Sequence, residues 1–352
     1  MPTRPSRALV TAAVVLLLGS AVTTRVIVPF AESRGWWGRS SITLTVGTPG
    51  ATSGVSAAGG VTASASAQAT AGASAQASGQ ISAQEAATEA EASRAASTAR
   101  SQATFTRTVS AYLRTRSGSV GVIAVDVQAG VVVSSAAHVA SYTASIVKLD
   151  ILAALLLQRQ DAGRLPTTAE QAHARRMITE SDNDAATALW ERIGGSSGLA
   201  KANRRLGLRE TVPGSGSLWG LTRTTAADQV RLLTVVTGYG GVLAQAGVAG
   251  NVGALKAAQR AYVVRLMEQV DDDQAWGVSA AAAGEGTALK NGWLPYSGDG
   301  YRWLVNSIGR VRTADGSTLL VAVLSRRSAS FAYGVATVEQ VSRLAAAAIT
   351  GS

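Results

Sequence analysis

Ser145-Ile146-Val147-Lys148-Leu149-Asp150-Ile151-Leu152-Ala153-Ala154-Leu155-Leu156-Leu157 decides how the folded part of this chain is built. From Ile146 onward the run is apolar on nearly every side of a 3.6-residue period. Residues 146–157 are therefore expected to form a helix buried in the middle of a domain. Before it, residues 120–127 and 131–135 are β-branched runs joined by a short Gly-containing link, the pattern of a hairpin. After it, helices are expected at 168–179, 184–193, 226–237 and 256–270. Strands at 287–294, 301–311 and 317–325 follow, joined through the Ser297-Gly298-Asp299-Gly300 and Asp315-Gly316 turns, and a helix at 335–349 packs back. Strands at both ends with helices between them imply an α+β fold. Its antiparallel sheet is assembled from both ends of the domain and flanked by helices, and the middle contributes an all-helical lobe.

The preceding sequence reads differently. Arg4 and Arg7 are followed by residues 8–24, uncharged and mostly apolar, before Arg25 interrupts. This is a charged start with a hydrophobic segment of a length between signal peptide and membrane span, so residues 1–40 are expected to be a cleaved signal or an anchor with its flank. Either way the positive start stays in the cytoplasm and the rest is expected to be extracytoplasmic, membrane-anchored or secreted. From 41 to 101 the composition collapses to Ala, Ser, Gly, Thr and Gln, which predicts a disordered linker, either a bare tether or a sugar-bearing wall spacer. Its last part, 83–100, gains glutamates and loses glycines, and so can be helical and merge with a first domain helix at 105–116. The folded domain is expected over 102–352. The sequence has no cysteine, which leaves no thiol for a lipid-modified N-terminus or a disulfide framework.

Of the formal net charge of +10, residues 1–40 carry +4, residues 41–100 carry −1, and the remainder +7. A basic folded domain favours anionic wall polymers or carboxylate-bearing substrates. Nucleic acid is not expected as a partner, because no basic stripe is interleaved with aromatics. No cofactor is implied, and no cysteine cluster or H-x-x-x-H spacing points to a metal.

Three strings carry the chemistry: Ser145-Ile146-Val147-Lys148, Ser181-Asp182-Asn183 and Lys290-Asn291-Gly292. By residue frequencies an S-x-x-K match arises by accident roughly 0.4 times in such a chain, and S-D-N roughly 0.02 times, so the second string is the more specific. The chain has only four lysines, Lys148, Lys201, Lys256 and Lys290, against 28 arginines, and two of the four fall in these strings. Ser145 and Lys148 are three apart at the start of a helix, so they share a face and the amine can reach the hydroxyl. Backbone N–H groups at that helix start favour a developing oxyanion. Each string also has a plain reading: Ser145 or Thr143 caps the helix while Lys148 snorkels, Ser181-Asp182-Asn183-Asp184 is a capping box, and Lys290 is an edge-strand lysine.

In this order the strings resemble the signature of the penicillin-recognising serine hydrolases, most closely the class A β-lactamase-like domain, over roughly the last 250 residues. The resemblance implies the α+β architecture just derived, a sheet and a helical lobe. It implies Ser145 as nucleophile, Lys148 as base, and Ser181 as the proton relay to the leaving group. Asn183 would hold the substrate amide and Lys290 would supply a cation across the cleft. Asn291 and Gly292 would recognise a carboxylate-bearing ligand, and the backbone N–H of Trp293 would complete an oxyanion hole with that of Ser145.

Three departures retune that expectation. Only 36 residues separate Ser145 from Ser181, so the helical lobe is expected to be reduced. Asn291 stands where the family has Thr or Ser, although an amide can still donate to a carboxylate. The stretch before Thr224-Thr225-Ala226 lacks the E-x-x-L-N element that supplies the water-activating glutamate, and Glu210, in roughly the right region, reads as a surface residue. Gly194-Gly195-Ser196-Ser197-Gly198 satisfies G-x-S-x-G but follows a helix and reads as a loop, not a nucleophile elbow. His138 and His173, the only histidines, sit in no recognisable triad setting. The expectation is an exported serine hydrolase acylated on Ser145 by β-lactams or D-Ala-type wall peptides, with doubtful deacylation. The alternatives are an idle copy of the fold that binds peptidoglycan peptides or a protein partner, and a hydrolase of an unrelated ester or amide.

Overall fold

The computed structural model describes residues 63–351. The chain divides into a unit of residues 1–76 and one of residues 77–352. The leader or anchor expected at 1–40 and the first part of the linker lie outside the described residues. Among the described residues, no helix is long and apolar enough to cross a membrane.

Helix α1 runs Ala63–Leu113. The helix covers 83–100, where a helix merging with the domain's first one was expected, and it also takes in 63–82, expected to be disordered linker. Its high alanine content supplies the propensity, and from residue 83 the loss of glycine removes what opposes it. Gln102 reaches into the domain, donating to Ser134 O at 2.9 Å and accepting from Ser134 N at 2.8 Å. Phe105 and Val109 are buried beyond it.

The central strands are buried at nearly every position, because the sheet is covered on both faces and successive side chains enter opposite sides of it. Antiparallel β1 (Ser119–Asp126) and β2 (Val132–Ser135) form the expected hairpin. The short pair β3 (Ser141–Tyr142) and β4 (Arg223–Thr224) was not legible in the sequence. Between them lie α2 (Val147–Asp161), α3 (Thr168–Thr179), α4 (Asn183–Ile193) and α5 (Gly195–Leu206). After β4 come α6 (Ala226–Thr237), α7 (Gly241–Gln245) and α8 (Ala257–Met267). The chain closes with β5 (Ala288–Tyr296), β6 (Arg302–Arg312), β7 (Thr318–Ser328) and α9 (Phe331–Thr350). The main sheet is antiparallel throughout, in the order β2-β1-β7-β6-β5, so the first and last strands of the domain are joined in its centre.

The sheet separates two cores. Val120, Val122 and Ala124 of β1 and Leu319, Val321 and Val323 of β7 face α9 and Phe105 of α1. The intervening Ile123, Val125, Leu320, Ala322 and Leu324 face the helices of the middle, with α2 buried from Val147 to Leu157 as its composition demands. The sequence Gly194 to Gly198 is not a loop. Gly194 ends α4 in a left-handed conformation (φ +90°) and α5 starts at once at Gly195. Gly198 is required there, because a Cβ would meet Ile193 O at 1.8 Å. No strand precedes Ser196, so the G-x-S-x-G string makes no nucleophile elbow.

Asp150 is the acidic residue inside the apolar α2, and it is buried. The Asn203 amide, oriented by its neighbours, donates to it at 2.9 and 3.2 Å. Burial pushes the Asp150 carboxyl up to about 8; the Asn203 hydrogen bond opposes this and the Asp228 carboxylate adds to it. The folded state therefore holds a proton that an unfolded aspartate, near 3.8, releases. Stability should fall as pH rises between these values. Asp150→Asn, which never ionises, is expected to lose less thermal stability than the native protein between about pH 5 and about pH 8. Identical melting profiles for the two proteins would show that the folded state does not retain this proton, the carboxyl being ionised in folded and unfolded states alike across that window.

Candidate active site

Ser145 lies on a short 3-10 turn, Ala144–Ile146, that runs directly into α2. Neither Thr143 nor Ser145 caps a helix, since no side-chain cap bond forms at Thr143 or at Ile146. The turn is held from three sides. Asn306 Nδ2, buried in β6, donates to Tyr142 O at 2.8 Å and Thr143 O at 3.0 Å, while its Oδ1 accepts from Ser325 N of β7. Thr143 N donates to Thr222 O at 2.9 Å. On the third side β5, the edge strand, brings Gly292 against the turn. A Cβ there would meet Ser145 N at 2.5 Å, Ile146 N at 2.7 Å and Thr143 O at 2.8 Å. Ala144 takes a left-handed φ of +46°, a strained conformation for a non-glycine residue that this packing enforces.

The two motif lysines converge on Ser181. Lys148 Nζ, fully buried, donates to Ser181 O, to Ser181 Oγ at 3.1 Å and to Asn183 Oδ1 at 2.8 Å. Lys290 Nζ, also fully buried, donates to the same Ser181 Oγ at 3.0 Å and to Asn291 O at 3.1 Å. Snorkelling and edge-strand roles are therefore excluded for these two side chains. Asp182, not Ser181, caps α4 by accepting from Ala185 N at 2.7 Å, which leaves the Ser181 hydroxyl to the lysines. Ser181 pays for its position with a left-handed φ of +57°. Burial lowers Lys148 to about 7, opposed by the Asp182 carboxylate. Burial, followed by the Lys148 charge, holds Lys290 well below the ordinary lysine value. Ser145 Oγ makes no hydrogen bond; the Lys148 amine is turned to Ser181 and Asn183.

Asn291 requires a correction. Strand alternation places it on the α9 face of β5, opposite Lys290 and Gly292, and its Nδ2 donates to Gln274 O at 2.8 Å and Trp276 O at 2.9 Å. Both donors are spent in the interior, so its amide does not present them to a ligand carboxylate. The Trp293 indole lies on that same face, packed on Trp276 and Phe331, while Trp293 and Leu294 edge the cleft. Glu210 is bound to His138, Thr225 and Arg231, and His173 to Arg176.

Ser145 opens on a cleft of about 450 Å3 lined also by Asn183, Thr187, Leu218, Trp219 and Leu221. No lining residue is a carboxylate. Trp219 was missed in the sequence; its indole N–H donates to Thr187 Oγ1 at 3.2 Å and its ring centre lies 5.1 Å from Lys148 Nζ. Only the glycine-rich setting of Gly214-Ser215-Gly216-Ser217-Leu218-Trp219-Gly220 hinted that a tryptophan there has a surface task. Asn306, a polar residue inside an apolar strand, was missed as well. Gly292→Ala is expected to cost about 1–3 kcal/mol of stability, the range for overpacking a filled site, read as a lower denaturation midpoint. An unchanged midpoint would mean that β5 and the Ser145 turn do not press together.

The β-lactamase enzyme family model matches residues 167–349, just over half of the chain, taking in Ser181 and Lys290 and beginning after Lys148. A Mycobacterium tuberculosis protein named as a lipoprotein, LppW, is 28% identical over 173 residues, 47% of this chain and 51% of that protein. The chain thus spans about half the length of the curated relatives it matches. A class A β-lactamase from Bacteroides cellulosilyticus superposes with a TM-score of 0.60 at 14% identity, covering 72% of this chain and 99% of that one. The acyl-enzyme of PBP-A with penicillin G superposes with a TM-score of 0.56 at 20% identity, covering 70% and 97%. These structures share the fold, and with the family match over the C-terminal half they establish that this chain belongs to the β-lactamase enzyme family.

Proposed function

We propose that this protein is an extracytoplasmic serine hydrolase that is acylated on Ser145 by β-lactams or D-Ala-type wall peptides and deacylates slowly. The family and fold support a serine-hydrolase type of enzyme. The observation that carries the finer reading is one hydroxyl, Ser181 Oγ, shared by two buried lysines beside the Ser145 cleft. Neutral Lys148, with its amine lowered to about 7, takes the Ser145 proton as Oγ attacks the carbonyl carbon. The backbone N–H groups of Ser145 and Trp293 hold the oxyanion, and Ser181 passes the proton to the leaving nitrogen. Asn183 orients Lys148 and the substrate amide, and Lys290 supplies the cation for a substrate carboxylate without help from the Asn291 side chain. The layout is part of the same proposal: a leader or anchor at 1–40, a linker to 101 and the hydrolase domain from 102. Similarity to a lipoprotein-named relative supports the export reading.

Slow deacylation follows from the cleft's lack of a carboxylate and from the engagement of Glu210 with His138, Thr225 and Arg231. Penicillin should add its mass to the peptide containing Ser145, and Ser145→Ala should abolish the adduct without loss of fold. Persistent labelling of the alanine variant would refute the assignment, and an unlabelled native protein would favour the peptide-binding reading. The adduct should survive a chase, and Glu210→Gln should leave its lifetime unchanged; a collapse of brisk turnover in that variant would identify Glu210 as the base.

The base has its own test. Lys148→Ala should slow acylation by roughly 10²–10⁴-fold. In the native protein the acylation rate should rise with pH to half its plateau near about 7, because the amine acts when neutral. A rate flat between about pH 5 and about pH 9 would remove Lys148 from that role.

A further inference from the structure

The loop of residues 211–222 contains no acidic residue and is tied down at both ends. Val212 and Arg223 exchange backbone bonds at 2.8 and 2.9 Å, Gly214 N donates to Thr222 Oγ1 at 3.1 Å, and Trp190 Nε1 of α4 donates to Gly216 O at 2.9 Å. Thr143 Oγ1 donates to Gly220 O at 3.3 Å, which joins the loop to the Ser145 turn. The loop is therefore a fixed wall of the cleft. What it presents there is Leu218, Leu221 and the half-buried Trp219.

We propose that Trp219 sets the lifetime of the acyl-enzyme by keeping hydrolytic water away from Lys148 and the Ser145 ester. This rests on the acylation reading above. Hydrolysis requires a water oxygen to bond to the acyl carbon while the carbon–Oγ bond breaks. One water proton must pass to a base and then to Ser145 Oγ, and the free acid leaves. With no carboxylate in the cleft, the basic group nearest the ester is Lys148 itself. Its polar contacts are Ser181 and Asn183, and the Trp219 ring stands 5.1 Å from its nitrogen. The indole offers water no anchor, because its one donor is spent on Thr187 Oγ1. Thr187 in turn donates to Asn183 O at 3.0 Å, so the ring is locked to the helix that also orients Lys148. Acylation needs no water and is not obstructed; deacylation does.

The test separates the two half-reactions. The native protein, Trp219→Ala, Trp219→Leu and Trp219→Phe are labelled with penicillin, freed of excess, and followed by intact mass. Trp219→Ala is expected to shorten the adduct half-life by about 10-fold or more, short of the 10²–10⁴ that a positioned base supplies, with an acylation rate within about 3-fold of native. Trp219→Phe, which keeps the ring, should stay near native. Trp219→Leu replaces Trp219→Ala if the smaller side chain does not fold. An unchanged half-life in the folded Ala or Leu variant overturns the proposal, and so does a parallel change in acylation and deacylation, which would mark a general loosening. Absence of any adduct on the native protein would sink the acylation reading and this proposal together, whereas an adduct whose lifetime ignores Trp219 sinks this one alone.

Discussion

Two lysine amines buried one hydroxyl apart are the constraint on which the rest of this structure depends. Lowering Lys148 from 10.5 to about 7 corresponds to about 5 kcal/mol of disfavour for its charged form. Lys290 adds a second buried amine that the first disfavours further. Such an arrangement persists only where the surroundings over-determine it. Ser181 is forced into a left-handed conformation that points both its carbonyl and its hydroxyl at Lys148. Asp182 caps the following helix and moderates the lysine's shift.

The opposite wall shows the same economy. Lys290 reaches Ser181 because β5 presses on the Ser145 turn, and β5 can do so only because residue 292 lacks a Cβ. Asn306 ties the turn to β6 and β7, so the nucleophile candidate is held by the centre of the sheet as well as by the helical side. A nucleophile, a poised amine and an oxyanion site can then be fixed before any ligand arrives, which is the condition for electrostatic stabilisation without reorganisation.

The α+β architecture was legible because the strand and helix periods are strong: the buried α2, the opening hairpin and the three closing strands all lie within a few residues of where the sequence put them. The helical stretch 63–82 and the start of α5 were misread because serine and glycine content argued for irregular chain, while alanine propensity and a left-handed Gly194 cap decided the outcome. Asn291 was misassigned by following the motif instead of the strand: a period of two puts it on the face opposite Lys290. Trp219 and Asn306 reach Ser145 across long stretches of chain, and no local pattern reports such a meeting. The capping-box pattern at Ser181 could not by itself say which residue caps, and the structure gives that task to Asp182.

The central claim, that burial displaces the Lys148 and Lys290 amines below the ordinary lysine value, has a direct measurement. With 13C-labelled lysine the protein gives four side-chain signals, and an NMR pH titration follows each. Lys148 should titrate near about 7 and Lys290 should also be displaced downward from the ordinary lysine value, the signals being assigned by Lys→Arg variants. Curves for Lys148 and Lys290 that both lie near about 10.4 would contradict the account, because neither amine would then be the base or the tuned cation that the arrangement around Ser181 implies.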